Sequence, residues 1–333
     1  MSDQPMIEIT LDGAPRTIEA GSTGALLLQD AVKKDGVVAM RVNGEPWDLE
    51  RQVPAGAVVE PITLASEDGL NILRHSATHV MAQAVQEMFP GVNLGIGPFI
   101  TDGFYYDFGA IDAVTPEMLR EIEKRMKRIV KEGQRFVRRD ITEAQGREEL
   151  ADQPYKLELI TTKGAGAEGA SVEVGAGGLT MYDNVRRDGT VAWTDLCRGP
   201  HLPSTRLIGQ GFALTKSSSA YWKGDQSGDS LQRIYGTAWA TKDELKAYQT
   251  RLAEAAKRDH RKLGAELDLY SFPEEIGPGL VVFHPKGAML RHQIEQYVVD
   301  RHQDYGFDFV HTPEISKGGL FHTSGHLPYY ADT

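Results

Sequence analysis

The stretch Leu70–Met88, stopped by Pro90-Gly91, reads as one long helix, and it constrains this chain more than any other segment. Residues four apart share one face of a helix. At about 100° per residue, with His75 at 0°, His79 falls near 40°, Gln86 near 20° and Ala82 near 340°. Leu73, Ala77, Val80, Met81, Ala84 and Met88 gather between roughly 140° and 240° by the same arithmetic. This predicts a core-facing apolar stripe, with both histidines pointing away from it, on a face able to line a pocket. Two incidental surface histidines would give the same spacing. So would a zinc-ligand pair, but in the zinc peptidase motif a Glu base follows the first His, and Ser76 stands there, which excludes that class.

A second cluster of reactive side chains lies in Asp195-Leu196-Cys197-Arg198-Gly199-Pro200-His201. Gly199-Pro200 precludes a regular helix, so Cys197 and His201 are expected to converge through a turn. Two His on a helix with Cys and His on a distant loop suit a tetrahedral zinc site. They equally suit a polar pocket whose imidazoles position water and move protons near neutral pH. Cys197 taken alone also fits a small buried hydrophobe. It is the only cysteine, which excludes an internal disulfide framework and fits a reducing compartment. MSDQPMIEIT has no basic or apolar leader pattern. No stretch approaches the ~18–20 apolar residues that span a bilayer. The expected location is the cytoplasm, with no membrane association.

The turn signals divide the chain. In residues 1–65, Met6–Leu11 alternates as a strand, Asp12-Gly13 turns, and Arg16–Glu19 returns. Ser22 or Thr23 can cap a helix over Ala25–Lys34. Val37–Val42, Asn43-Gly44 and Glu45–Leu49 give a second hairpin, and Ala57–Thr63 closes the set. That order is the order of a β-grasp fold. Residues 66–240 mix the histidine helix, glycine-punctuated strand-like runs (Leu179–Tyr182, Val191–Leu196, Gly211–Thr215), a helix over Pro116–Gly133 and a Gly/Ala-rich loop at Gly164–Gly178. The whole is α+β. Lys242–Leu263 reads as a charged connecting helix. Strand-like Leu267–Phe272 and Leu280–His284, a helix over Lys286–Tyr305 and a strand Phe307–Val310 ending at Pro313 follow.

A net charge of −11 argues against a general nucleic-acid coat protein, because phosphate binding needs clustered positive charge. Arg120–Arg139 nevertheless carries nine Lys and Arg against three Glu. It reads as a basic helix, either a solvated face or a contact for a phosphate backbone.

Arg74-His75-Ser76…His79, Gly95-Ile96-Gly97-Pro98, Gly103-Phe104-Tyr105-Tyr106-Asp107, Asp195 through His201, Ala220-Tyr221-Trp222-Lys223-Gly224-Asp225 and Arg233-Ile234-Tyr235-Gly236-Thr237-Ala238-Trp239 stand in a fixed order, followed by Arg258-Asp259-His260-Arg261-Lys262-Leu263-Gly264. In order and spacing these blocks resemble bacterial threonyl-tRNA synthetases, from the first module to about residue 330. The resemblance implies a TGS module over 1–65, an editing domain that hydrolyses seryl-tRNA over 66–240, a linker helix over 241–265, and the incomplete start of a class II antiparallel-sheet catalytic domain over 266–333. It implies that His75, His79, Cys197 and His201 line the editing pocket. Asp195 would hold the substrate ammonium, Lys156 would reach a hydroxyl or the ester oxygen, and Tyr106 would contact the seryl group or stack on a base. The implied partners are tRNA(Thr), with threonine and ATP for the full-length enzyme, and a second copy through the catalytic core. Editing needs no cofactor by this resemblance. ATP with Mg and one Zn belong to a core whose ligands are expected beyond residue 333, so the chain is expected to edit and not to ligate. A stand-alone deacylase acting in trans, a non-enzymatic tRNA- or nucleotide-sensing protein, and a zinc hydrolase built on the His/His/Cys/His cluster are the alternatives.

Overall fold

The structure, a computed structural model, describes residues 5–163, 174 and 178–331. Most of the Gly/Ala-rich loop expected at 164–178 therefore lies outside the described residues. Contacts divide the chain into two units, Met1–Thr250 and Arg251–Thr333.

The first unit opens with β1 (Met6–Leu11) and β2 (Ala14–Glu19), turned at Asp12-Gly13 as the hairpin signal predicts. Thr23 caps a helix by accepting from Leu26 N–H, but the helix breaks at Leu28 into α1 (Gly24–Leu27) and α2 (Gln29–Lys34). β3 (Val37–Val42), β4 (Glu45–Trp47) and β5 (Val58–Thr63) complete a five-stranded sheet in the order β2-β1-β5-β3-β4. β1 and β5 run parallel, and the other neighbours antiparallel. Ile9, Val37, Met40, Val42, Val53 and Val59 form a small core of their own beneath it.

Ser66 caps the histidine helix, α3 (Glu67–Met88), three residues earlier than the periodicity indicated. After it come β6 (Asn93–Leu94), β7 (Phe99–Ile100), β8 (Gly103–Gly109), α4 (Pro116–Glu132), β9 (Arg135–Ile141), α5 (Glu143–Glu149) and α6 (Pro154–Thr162). Then follow β10 (Leu179–Val185), β11 (Val191–Leu196), β12 (Phe212–Tyr221) and β13 (Ser230–Ala238). One sheet runs β12-β13-β8-β6 with β7 beside β8, and a second runs β11-β10-β9. Helix α3 lies in the core with these elements: every residue from Ile72 to Val85 is buried.

That position adds to the reading of the histidines what the helical wheel leaves open. They do face away from the apolar stripe, but the opposite face is covered as well, so both are only 2 % exposed. Helical periodicity identifies the more apolar side of a helix; it cannot tell solvent from a second layer of protein on the polar side. The basic segment needs correcting. Arg135, Arg138 and Arg139 lie on strand β9, not on the helix, because Gly133 at φ 68° ends α4 in a left-handed cap. Most of its cations are paired within the chain: Arg125 and Arg128 with Glu87, Lys127 with Glu123, Arg139 with Asp183 and Glu149.

The predicted connecting helix breaks into α7 (Lys242–Lys257) and α8 (His260–Glu266), because Asp259 caps the second by accepting from Arg261 N–H. In the second unit a two-stranded ladder, β14 (Tyr270–Ser271) with β15 (Val282–Phe283), precedes α9 (Pro285–Asp304), and two short helices follow, α10 (Gly318–Thr323) and α11 (His326–Tyr329). The strand expected at Phe307–Val310 does not form. Its residues are exposed and no described segment pairs with them, and a strand exists only through a partner that takes its backbone hydrogen bonds.

Candidate active site

Helix α3 supplies His75, Ser76 and His79, and the loop leaving β11 supplies Cys197 and His201. The structure brings these two clusters together. Cys197 Sγ lies 3.2 Å from His75 Nε2 and 3.4 Å from His201 Nε2, and Gly199 N–H points at the same sulfur from 3.2 Å. The His201 ring centroid is 4.4 Å from that of His75 and 4.1 Å from that of His79. The loop can turn this tightly because Gly199 adopts φ 71°, and a Cβ there would collide with the Tyr182 hydroxyl.

The hydrogen bonds assign protons. His75 also bonds the Pro200 carbonyl. A carbonyl only accepts, so that ring nitrogen carries the proton of the neutral ring, and Nε2 is left to accept from the Cys197 thiol. Ser76 Oγ accepts from Leu202 N–H at 3.0 Å and sits 3.1 Å from His201 Nδ1. Its hydroxyl proton can be donated to Nδ1, which places the His201 proton on Nε2, facing the sulfur. Burial pushes all three imidazoles down, His75 to about 4, with the Lys156 charge adding to the effect on His75 and His79. The three rings are therefore neutral at pH 7, the form that accepts a proton.

Behind the cluster, Lys156 of α6 and Asp195 of β11 are both fully buried and paired at 3.0 Å. Tyr106 O–H donates to Asp195 Oδ2 at 2.6 Å, and Leu196 N–H to Oδ1 at 2.8 Å. Lys156 Nζ also donates to the Leu196 carbonyl. Burial raises the Asp195 carboxyl in spite of the lysine beside it. The three residues thus form one internal network, with Tyr106 stacked on Phe108 at 4.9 Å. In this geometry Asp195, Lys156 and Tyr106 hold one another rather than line an open surface.

A cavity of about 600 Å³ opens in front of the cluster. Of the four clustered residues only His75 lines it, beside Pro200, Thr180, Arg138 and Arg198, and Trp47 at the end of β4 and Arg51 in the turn after it face it from the first module. Sequence reasoning missed Ser76 as a partner of His201, and it missed Tyr182, whose ring meets His201 edge-on at 4.6 Å. Ser76 carried a signal, standing between two candidate histidines. Tyr182 carried none, because its role depends on strand β10 passing under a loop that follows it.

The cluster can hold a metal. The four ligand atoms of His75, His79, Cys197 and His201 lie within 4.8 Å of one another, and His79 Nδ1 has no hydrogen-bond partner. Three imidazoles and a thiolate are a donor set for zinc. The thiol and Ser76 contacts meanwhile satisfy two of the imidazoles by hydrogen bonding. No helix among the described residues is long and apolar enough to cross a membrane.

Residues 178–235 match the family described as the threonyl and alanyl tRNA synthetase second additional domain, a match that contains Asp195, Cys197 and His201. Over 330 residues, 98 % of the chain, the sequence is 72 % identical to a threonine–tRNA ligase of Cutibacterium acnes, of which this covers 48 %. It is 58 % identical over 338 residues to that of Thermobifida fusca and 56 % identical over 336 residues to that of Pseudarthrobacter chlorophenolicus, covering 50 % of each. The chain spans about half the length of the curated relatives it matches. With matches of this identity along nearly the whole chain, and with the second additional domain inside it, the chain is similar throughout its length to about half of each of these threonine–tRNA ligases.

Proposed function

We propose that the chemistry held by these residues is hydrolysis of seryl-tRNA(Thr), and that the chain serves an enzyme that ligates threonine to tRNA(Thr) with ATP. The observation that carries the hydrolytic reading is the convergence of His75, His79, Cys197 and His201 behind a cavity, two of them within the matched domain. The β2-β1-β5-β3-β4 order supports a β-grasp TGS module over 1–65. Residues 66–240 are then the editing domain, 241–265 the linker and 266–333 the start of a catalytic core. Leu290, Ile294, Tyr297 and Val298 form an exposed apolar stripe on α9, which supports burial of that face against protein, the core or a second copy. The core would bring ATP, Mg and Zn chemistry, while the editing residues use none. Cytoplasmic location is part of the same reading.

The need for a second site follows from size. Serine lacks one methyl of threonine, and a missing methylene is worth only about 1–3 kcal/mol in a pocket. Hydrolysis after transfer supplies the remaining selectivity. In the proposed reaction water adds to the ester carbonyl, the bond to the ribose oxygen breaks, and that oxygen takes up a proton, yielding serine and tRNA. His75 is neutral and at the cavity wall, so its Nε2, once the Cys197 thiol turns its hydrogen away, accepts the water proton and passes it to the leaving ribose oxygen. Cys197, His201 and Ser76 hold the His75 ring and its proton partners in place. Lys156 and Asp195 set the charge behind the rings, and His79 packs against His201.

The test is deacylation of seryl-tRNA(Thr) and threonyl-tRNA(Thr) by the wild type and by His75→Ala, Cys197→Ala and His201→Ala. The wild type should hydrolyse the seryl ester preferentially, and His75→Ala should lose about 10²–10⁴-fold, the usual contribution of a positioned acid–base group. Folded variants that all keep the wild-type rate would refute the assignment. A zinc-dependent hydrolase is the second reading, favoured by the spacing of the four ligand atoms. Stoichiometric zinc in the purified protein, with activity lost to a chelator, would establish it.

A further inference from the structure

Asp48 follows strand β4 in the first sheet, yet its carboxylate makes its hydrogen bonds in the second half of this unit. Oδ1 accepts from His201 N–H at 2.9 Å, and Oδ2 accepts from Tyr182 O–H at 2.6 Å. These partners lie 153 and 134 positions away in sequence. Asp48 is 9 % exposed, and a carboxylate so placed is costly unless it is fully used. Both uses converge on one residue. The first fixes the backbone of His201. The second fixes the Tyr182 ring, which packs edge-on against the His201 imidazole and against which Gly199 is closely set. The loop that carries Cys197 and His201 is thus clamped between strand β10 and the first sheet. On either side of Asp48, Trp47 and Arg51 stack at 3.3 Å and line the same 600 Å³ cavity as His75 and Pro200.

We infer that the first module is a working part of the hydrolytic site, and that Asp48 is a positioning residue that holds His201 and its loop for the reaction. This rests on the proposed hydrolysis of seryl-tRNA at that cluster. Asp48 reaches no cavity-lining position itself, so it acts through His201 and Tyr182. The charge is not what the clamp requires. An Asn can still accept from His201 N–H through its carbonyl oxygen and donate from its amide to the Tyr182 oxygen.

The experiment compares Asp48→Ala, Asp48→Asn and Tyr182→Phe in the full chain. Steady-state deacylation of seryl-tRNA(Thr) and amide hydrogen exchange at His201 are both measured. Asp48→Ala should lower kcat by about ten- to a hundredfold, the order that a small misplacement of a catalytic group costs, with KM little changed. It should also speed exchange at His201 while the core of strand β10 stays protected. Asp48→Asn should restore both readouts, and Tyr182→Phe should give a smaller loss. If Asp48→Ala does not fold, the Tyr182→Phe and Asp48→Asn pair carries the test, the first lowering kcat and the second not. A folded Asp48→Ala with wild-type kcat and wild-type exchange at His201 overturns the inference, and so does an Asp48→Asn as impaired as Asp48→Ala. If the wild type shows no deacylation but Asp48→Ala still frees His201, it is the proposed reaction that fails, and the clamp stands.

Discussion

Replacing Lys156 by Met leaves the Asp195 carboxylate buried beside a thioether. Both side chains are fully buried and 3.0 Å apart, so water cannot take over the pairing. Removing one partner of such a pair costs about 3–5 kcal/mol. The carboxylate has one escape, to bind a proton. From an ordinary value near 3.9, protonation at pH 7 costs about 1.36 kcal/mol for each of roughly three units, or about 4 kcal/mol. That sets a ceiling, and the hydrogen bonds from Tyr106 and Leu196 that survive in the variant lower it. The expected loss is therefore about 3 kcal/mol at pH 7, read from urea denaturation by linear extrapolation. The sign with pH is fixed as well. In the variant the folded-state value of Asp195 is raised above the unfolded value, so the folded state holds more protons between the two, and stability falls as pH rises through that window. The gap between variant and wild type should narrow as pH drops from 7 towards 5. The double variant Lys156→Met, Asp195→Asn removes the unpaired charge and should cost less than the sum of the two single variants. A folded Lys156→Met that loses under about 1 kcal/mol, or a gap that widens on acidification, would refute a buried, ionised pair.

Two further outcomes follow from the same site. Burial lowers His75 to about 4 from an unfolded value near 6.5, so its contribution to stability is present above pH 6.5 and is lost as pH falls towards 4, about 3 kcal/mol in all; the wild type should lose that much more than His75→Asn in chelator-treated denaturation series at pH 7 and pH 4. Gly199→Ala puts a Cβ into the Tyr182 hydroxyl at a positive φ, so thermal unfolding should fall by several degrees and Cys197 should become more accessible to thiol reagents.

The local elements were legible because local rules decide them. Asp12-Gly13 turns a hairpin, Thr23 and Ser66 cap helices, and Gly133 ends one, each through a backbone requirement that a few neighbouring residues express. The family blocks likewise identified His75, His79, Cys197 and His201 as one set. Three gaps in the sequence reading share a cause. Helical periodicity could not show that α3 is covered on its polar face, charge counting could not show that Glu87, far from the basic segment in sequence, pairs with Arg125 and Arg128, and strand propensity at Phe307–Val310 said nothing of a partner.

By itself the sequence determined which residue types this site can use: three imidazoles, one thiol, and a lysine and an aspartate for charge. Tertiary structure alone decided how they act. It buried the imidazoles and so made them neutral, set Ser76 against His201, engaged Lys156, Asp195 and Tyr106 with one another, and brought Asp48 across from another sheet. Desolvation and long-range hydrogen bonding depend on what surrounds a group in space, and neither is encoded in the residues next to it in the chain.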